Sequence, residues 1–430
     1  MRYISTRGDA PPVTAGPAML SGLAPDGGLY HPEQIPLVDE GEFPHGVGLP
    51  AAARVLLAPF VEGDPVLSTG LAEICDEALD FPVPLVDLAE DLRVLELFHG
   101  PTAAFKDVGA RFLASSLARL AGEGERPRTV LVATSGDTGG AVAAAFHGRP
   151  GFRVVLLYPA GRVSPRQEAQ LTAWGGNVTT LRVEGDFDDC QRMVKAAFAD
   201  AGLRKAAGLT SANSISIGRL LPQMSYYAMA ALAARRATGI EPGFVIPTGN
   251  LGNGLACIWA RRCGLPVGPV VLATNANDAV ARFFAGEAWH PRTTRQTLAT
   301  AMDVGNPSNM ERLLFLTGGE ARARREAEAI AVDDEGIREA IRQGPARYGQ
   351  VWCPHTATAV KAWESLPPRM RDRPWILVAT AHPAKFEDVV EPLVGHAVPP
   401  PPALAELLAK PRRWTDVRPD PAELRAVLLD

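Results

Sequence analysis

The sequence predicts an α/β protein built on parallel sheets, and three observations carry that prediction. Apolar runs of strand length alternate with helical patterns along most of the chain. Several of those runs end in polar, glycine-rich turns, the place where parallel sheets put their ligands. The length, 430 residues, allows two or three domains around a large core.

The elements follow in order. Residues 1 to about 78 are rich in Gly and Pro and read as short elements in an N-terminal subdomain covering the main body. Within them Pro25-Asp26-Gly27 is turn chemistry, Glu73 to Leu79 is a short helix, and the Phe81–Pro84 stretch stops it. Val94 to Phe98 reads as a strand end that passes through a tight turn at His99–Thr102 into a helix. On that helix Phe105, Val108, Phe112, Leu113, Leu117 and Leu120 form one apolar stripe, with Lys106 at its edge in the first turn. Strands follow at Arg128–Ala133, Phe152–Tyr158 and Val178–Val183, with helices from Ala141 to Phe146, from Ser164 to Trp174 and from Phe187 to Phe198. One long helix is expected from Ile217 to Ala237, with Pro222 near its first turns. Strands at Phe244–Ile246, Pro269–Ala273 and Trp375–Ala379 complete the pattern, and the tail from Pro399 is Pro-rich and then weakly helical.

Composition narrows the function. A net charge of −5 with scattered Lys and Arg argues against a nucleic-acid partner. No apolar run reaches the ~18 residues of a spanning helix, and no secretory signal is apparent at the start, so a membrane location is not expected. The five cysteines are far apart and form no CxxC, which fits a reducing cytoplasm rather than a disulfide framework or a zinc site. His99, His355 and His382 each abut a turn or a proline. With no HxxxH or HExxH spacing and no Gly-x-Ser-x-Gly elbow, they read as capping or hydrogen-bonded residues, and no metal is expected.

Two glycine-rich turns lie between a strand and a helix. In Gly249-Asn250-Leu251-Gly252-Asn253-Gly254 the glycines let backbone N–H groups turn toward an anion at a helix N-terminus, and a phosphate is the natural guest. The loop is neither a Walker nor a dinucleotide motif, which argues against a nucleotide-binding enzyme. Ser135-Gly136-Asp137-Thr138-Gly139 suits a carboxylate or phosphate, or simply caps its helix. Lys106, beside a turn and an apolar wall, is a candidate for a lowered pKa; taken alone it reads as a solvated surface lysine. A lysine together with a separate phosphate loop points to pyridoxal phosphate, held by a Schiff base and by its phosphate.

Seven segments in order then resemble the threonine synthase family, pyridoxal-phosphate enzymes of fold type II, the tryptophan-synthase-β type. They are residues 22–30 (GLAPDGGLY), 99–107 (HGPTAAFKD), 133–139 (ATSGDTG), 213–219 (NSISIGR), 249–253 (GNLGN), 301–309 (AMDVGNPSN) and 380–386 (TAHPAKF). Any one is only suggestive; seven in family order are specific, because independent matches multiply.

The resemblance implies two parallel-sheet α/β domains with the active site between them, plus a small N-terminal domain. The corresponding boundaries are 1–78 for the N-terminal domain, 79–105 with 221–400 for the large cofactor-binding domain, 106–220 for the smaller one, and 401–430 for a tail. It also implies roles. Lys106 would be the cofactor lysine and, once released, the acid–base. Gly249, Asn250, Leu251, Gly252 and Asn253 would cradle the cofactor phosphate, and Thr380 would hydrogen-bond the pyridine nitrogen. Asp137 stands where related enzymes often place Asn near the cofactor's 3′-oxygen, and a carboxylate there asks for a proton or a compensating cation. Ser135, Gly136 and Thr138 would bind the substrate carboxylate. Asn213, Ser214 and Arg219 are candidates for the substrate's own phosphate, with a helix-surface salt bridge as the other reading of Arg219. Many relatives have Phe at Leu251 and Asp at Asn253, changes that alter pocket shape without removing backbone donors. The implied reaction converts O-phospho-L-homoserine and water to L-threonine and phosphate, in the cytoplasm, by a monomer or homodimer. The rivals are a lyase on the same fold that releases a 2-oxo acid, and a non-catalytic amino-acid- or phosphate-binding relative.

Overall fold

A computed structural model describes residues 1–121 and 127–430. Two sheets organise the chain. The larger runs, edge to edge, through Glu328–Ala331, Val270–Thr274, Gly243–Pro247, Trp375–Ala379, Leu92–Glu96 and Leu85–Ala89. All its pairings are parallel except the last, where Leu85–Ala89 and Leu92–Glu96 form an antiparallel hairpin. The smaller sheet is Thr415–Val417, Val178–Val183, Phe152–Pro159, Arg128–Ala133 and Leu209–Thr210, parallel throughout. Both sheets are covered by helices. That is why the inner strands, such as Gly243–Pro247 and Trp375–Ala379, are buried at every position and read as unbroken apolar runs.

A hairpin-like pair of short strands, Tyr3–Ser5 and Tyr30–Pro32, opens the chain. The N-terminal region is more helical than its composition suggests. Helices of 13 residues (Leu49–Val61) and 14 residues (Pro65–Ala78) replace the short elements expected there. Pro50 and Pro65 sit in first turns, where the missing N–H costs nothing, and Asp64 caps the second helix by accepting from Leu67 N. The long helix expected over 217–237 is divided. Ile217–Leu220 leads into a 3₁₀ turn, Leu221–Gln223, before Met224–Thr238, and Pro222 at the break removes the donor that a continuous helix needs. The C-terminal segment is structured: Thr415–Val417 adds the outer strand to the smaller sheet, and Leu424 and Leu428 of the last helix are buried against the same cluster as Met193 and Val194. Among the described residues no helix is long and apolar enough to cross a membrane.

Two strand ends and two helix starts meet where the sheets face each other. Strand Leu92–Glu96 feeds the turn before helix Lys106–Leu120, and strand Arg128–Ala133 feeds the turn before helix Asp137–Phe146. The site is built at this junction.

Candidate active site

A cavity of about 990 Å³ opens between the sheets. Lys106 lines it as the first residue of its helix. Behind that position the turn is locked: Asp107 accepts from Thr102 N at 2.8 Å and from Thr102 Oγ1 at 2.6 Å, and Ala103 takes a left-handed φ of 54°. A non-glycine residue in that region is held there only when its surroundings over-determine it. Phe105 N donates to Thr380 O at 2.8 Å, which fastens the lysine's turn to the end of strand Trp375–Ala379.

Lys106 is therefore not the solvated lysine that its local sequence suggests. Burial lowers its pKa to about 8; Asp137 opposes the shift, while Arg219 and Lys385 add to it. Among the described residues its ammonium makes no hydrogen bond or ion pair. Asp137, in the first turn of the facing helix, is buried and held well below the usual carboxylate range. Desolvation acts against that lowering and is overcome chiefly by Lys385, then by Lys106. Lys385 Nζ lies 2.8 Å from Asp137 Oδ1, and Gln167 Nε2 donates to the same oxygen at 3.1 Å. The cation that a carboxylate at position 137 requires is thus present. It comes from residue 385, five positions past Thr380, in a segment quoted for the resemblance but given no role. The available signal was the unpaired carboxylate itself.

On the far side of the cavity lies the glycine-rich loop, ahead of the 11-residue helix Gly252–Arg262. Leu251, buried, takes a left-handed φ of 63°, which turns successive backbone amides toward one side. A Cβ at Gly249 would stand 2.8 Å from Met302 Cα, so only glycine lets the 301–302 segment close over the loop. Asn253 Oδ1 accepts from the hydroxyls of Tyr226 (2.5 Å) and Tyr227 (2.7 Å), while its Nδ2 is buried with no partner among the described residues. A buried donor left over beside a helix N-terminus fits an anionic guest such as a phosphate. Asn250 is braced from both sides: its Nδ2 donates to Ser214 Oγ, its Oδ1 accepts from Ser308 N, and Asn309 Nδ2 donates to its carbonyl at 3.0 Å. Thr380 is buried and lines the cavity between loop and lysine; its hydroxyl makes no hydrogen bond among the described residues.

Ser135, Thr138, Asn213, Ser214 and Arg219 also line the cavity. Gly136 does not. It supports the wall from behind, at a φ of 133°, where a Cβ would meet the Gln167 side chain at 2.6 Å. Arg219 makes no surface salt bridge among the described residues. It is 3% exposed, its Nη1 donates to Ala212 O at 2.5 Å, and its Nε is buried without a partner among the described residues. Burial lowers its pKa to about 10, with Asp107 opposing the shift. Among the described residues this buried guanidinium has no carboxylate partner, and its free donor beside a cavity could receive an anion.

Sequence reasoning overlooked further contributors. His355 lines the cavity, accepts from Ala301 N at 3.0 Å through Nε2, and is kept neutral by burial, its pKa lowered to about 4. Leu23, Ala24 and Pro25 of the N-terminal turn form part of the wall, as do Met302 and Asp303. His99 bonds Glu96 at 2.7 Å, and His382 Nδ1 accepts from Ala384 N at 3.2 Å. Among the described residues no cluster could hold a metal ion.

A half-buried lysine with a lowered pKa, facing an anion-receiving loop across a cleft between two parallel sheets, defines a class: a pyridoxal-phosphate-dependent enzyme. The family described as pyridoxal-phosphate dependent enzyme matches residues 83–380. The N-terminal and C-terminal regions of threonine synthase match residues 2–79 and 356–428. A threonine synthase of Serratia marcescens is 41% identical over 396 residues, 91% of each chain. The crystal structure of the Escherichia coli threonine synthase superposes with a TM-score of 0.91 at 38% identity, covering 100% of this chain and 99% of that one. A pyridoxal-phosphate-bound threonine synthase of Brucella melitensis gives 0.91 at 35%, with the same coverage. The chain belongs to the threonine synthase family, and its cofactor is pyridoxal phosphate.

The amine of Lys106 provides a direct check. Its uncharged, nucleophilic form prevails above about pH 8, against 10.5 for an ordinary lysine. Labelling of cofactor-free protein with a small amine-acylating reagent, read at Lys106 by peptide mass spectrometry, should reach half its maximum near pH 8. A midpoint near 10.5 would contradict the burial argument.

Proposed function

We propose that this chain converts O-phospho-L-homoserine and water to L-threonine and phosphate, with pyridoxal phosphate carried on Lys106. The observation that bears most weight is the pairing of Lys106 with two separate anion receptors across one cavity, in a chain related end to end to threonine synthases.

The cofactor, when bound, acts as an electron sink that acidifies the substrate's carbon–hydrogen bonds. The protein must hold the substrate at both ends and move protons. Backbone amides of residues 249–253, with Asn253 Nδ2, would receive the cofactor phosphate, and Thr380 Oγ1 would hydrogen-bond the pyridine nitrogen. Ser135 and Thr138, together with the backbone of the 135–138 turn, receive the substrate carboxylate. Arg219 Nε, with Asn213 and Ser214, receives the substrate phosphate. Clamping both ends aligns the bond to be broken and keeps the reacting carbon within reach of Lys106. An amine with a pKa near 8 suits this work, since it both takes and returns a proton near neutral pH. His355, neutral and fixed by Ala301 N, closes the wall without adding charge.

The reaction is soluble chemistry on a small molecule. We place it in the cytoplasm, in a monomer or homodimer; five buried free cysteines fit a reducing compartment.

A lyase on the same fold would release phosphate and a 2-oxo acid. Purified protein supplied with O-phospho-L-homoserine should form phosphate and threonine in equal amounts. Phosphate matched by 2-oxobutyrate would move the function to a lyase, and no phosphate would remove the substrate assignment. Lys106→Ala should abolish turnover with the fold intact; full activity in that variant would sink the role given to Lys106. For Arg219→Gln we expect KM for the phosphorylated substrate to rise at least tenfold, the scale of one charge-assisted contact, about 1.5–3 kcal/mol. An unchanged KM would remove Arg219 from the phosphate site.

A further inference from the structure

We propose that Lys385 is a positioning residue: a fixed, buried counter-cation that holds Asp137 as a carboxylate beside Lys106, so that the pair sets the charge facing the cofactor. This rests on the reading that Lys106 carries pyridoxal phosphate.

Lys385 is 0% exposed, and its Nζ has two fixed acceptors, Asp137 Oδ1 at 2.8 Å and Thr102 O at 2.7 Å. The groups facing Asp137 come from every element packed around it. They are Lys106 from its own helix, Cys353 and His355 from the start of helix Pro354–Glu364, Gln167 from helix Pro165–Thr172, and Lys385 from the turn Pro383–Phe386; Arg219 faces Lys106 from beyond. Gln167 is a neutral donor, His355 is neutral, and burial keeps the Cys353 thiol protonated. Lys106 is the reacting group, so its charge changes with its chemistry. Among the described residues, that leaves Lys385 as the cation that stays with Asp137 throughout. An unpaired carboxylate so placed would take up a proton instead.

The pair also joins three segments. Thr102 O belongs to the turn that presents Lys106, Asp137 to the helix start of the smaller sheet, and Lys385 to the turn after Thr380. Gln170 Nε2 also donates to Thr102 O, at 3.1 Å, so that carbonyl keeps a partner when Lys385 is removed. Charge compensation and simple bracing are therefore separable by mutation.

The test is a double-mutant cycle on cofactor affinity. Cofactor-free wild type, Lys385→Met, Asp137→Asn and Asp137→Asn/Lys385→Met are titrated with pyridoxal phosphate, following the visible absorbance band between pH 6 and 9. Each single variant should bind at least about tenfold more weakly, because each leaves one buried charge alone. For Lys385→Met the deficit should widen as pH rises, since the lone carboxylate is tolerated only while protonated. The double variant, neutral at both positions, should recover to within about threefold of wild type, with no pH trend relative to it. A double variant as weak as Lys385→Met would overturn the proposal and leave Lys385 as a brace. If Lys385→Met does not fold, the double variant decides alone: folded and binding supports the pair, folded without binding overturns it. A wild type that forms no visible band would fail at the earlier step, the cofactor assignment, and is distinguishable from either.

Discussion

The site depends on a buried ion pair, Lys385 with Asp137, at the seam between the two sheets. Removing two charges from water costs several kcal/mol per ion, and their attraction offsets that only when the remaining donors and acceptors are also satisfied. Here they are. Lys385 has Thr102 O as a second acceptor, and Asp137 has Gln167 as a second donor. The two lysines, Lys385 buried and Lys106 half-buried, differ in their contacts. Lys385 is bound to its partners, whereas Lys106, a short distance away, has none among the described residues and has an amine pKa near 8. One lysine is tied to fixed partners, and the other is the one proposed to carry the cofactor.

The rest of the cavity follows the same logic of backbone held in costly shapes by fixed polar contacts. Leu251 and Ala103 are the two non-glycine residues with positive φ among the described residues, and they flank the site from opposite sides, one in the anion loop and one in the lysine turn. Arg312 anchors the loop side. Fully buried, and without a carboxylate partner among the described residues, it donates to Tyr30 O, to Asn309 Oδ1 and to Ile215 O, tying the N-terminal region to the segment that carries Asn213 and Ser214. Asn309 in turn holds the Asn250 carbonyl. The N-terminal region is therefore part of the wall by way of residues 23–25 and part of the scaffold by way of Tyr30.

Much of this was legible in the sequence, for physical reasons. Strands buried on both faces are continuous apolar runs, so Arg128–Ala133, Val178–Val183 and Trp375–Ala379 were found with their observed bounds. Two strands at the sheet edges were not. Glu328–Ala331 and Thr415–Val417 are short and half exposed, and their charged residues hide the pattern. Prolines misled in both directions: in the N-terminal region they start helices rather than break them, while Pro222 does break one. The turns at 249–253 and 135–138 were legible because loop chemistry is local. The ionic partner of Asp137 was not, because residues 137 and 385 meet only through the fold. For the same reason Lys106 read locally as solvated. Burial first lowers its pKa, and the charges that modify it, Asp137 opposing and Arg219 and Lys385 adding, are each brought in by a different element.

The division between the two lysines is the most exposed part of the account. Borohydride reduction of the holoenzyme, followed by peptide mass spectrometry, fixes the pyridoxyl group on whichever lysine carries it. We expect it on Lys106, with Lys385 unmodified. A pyridoxyl group on Lys385 would contradict the account at its centre, because the residue assigned to balance Asp137 would be the one that reacts.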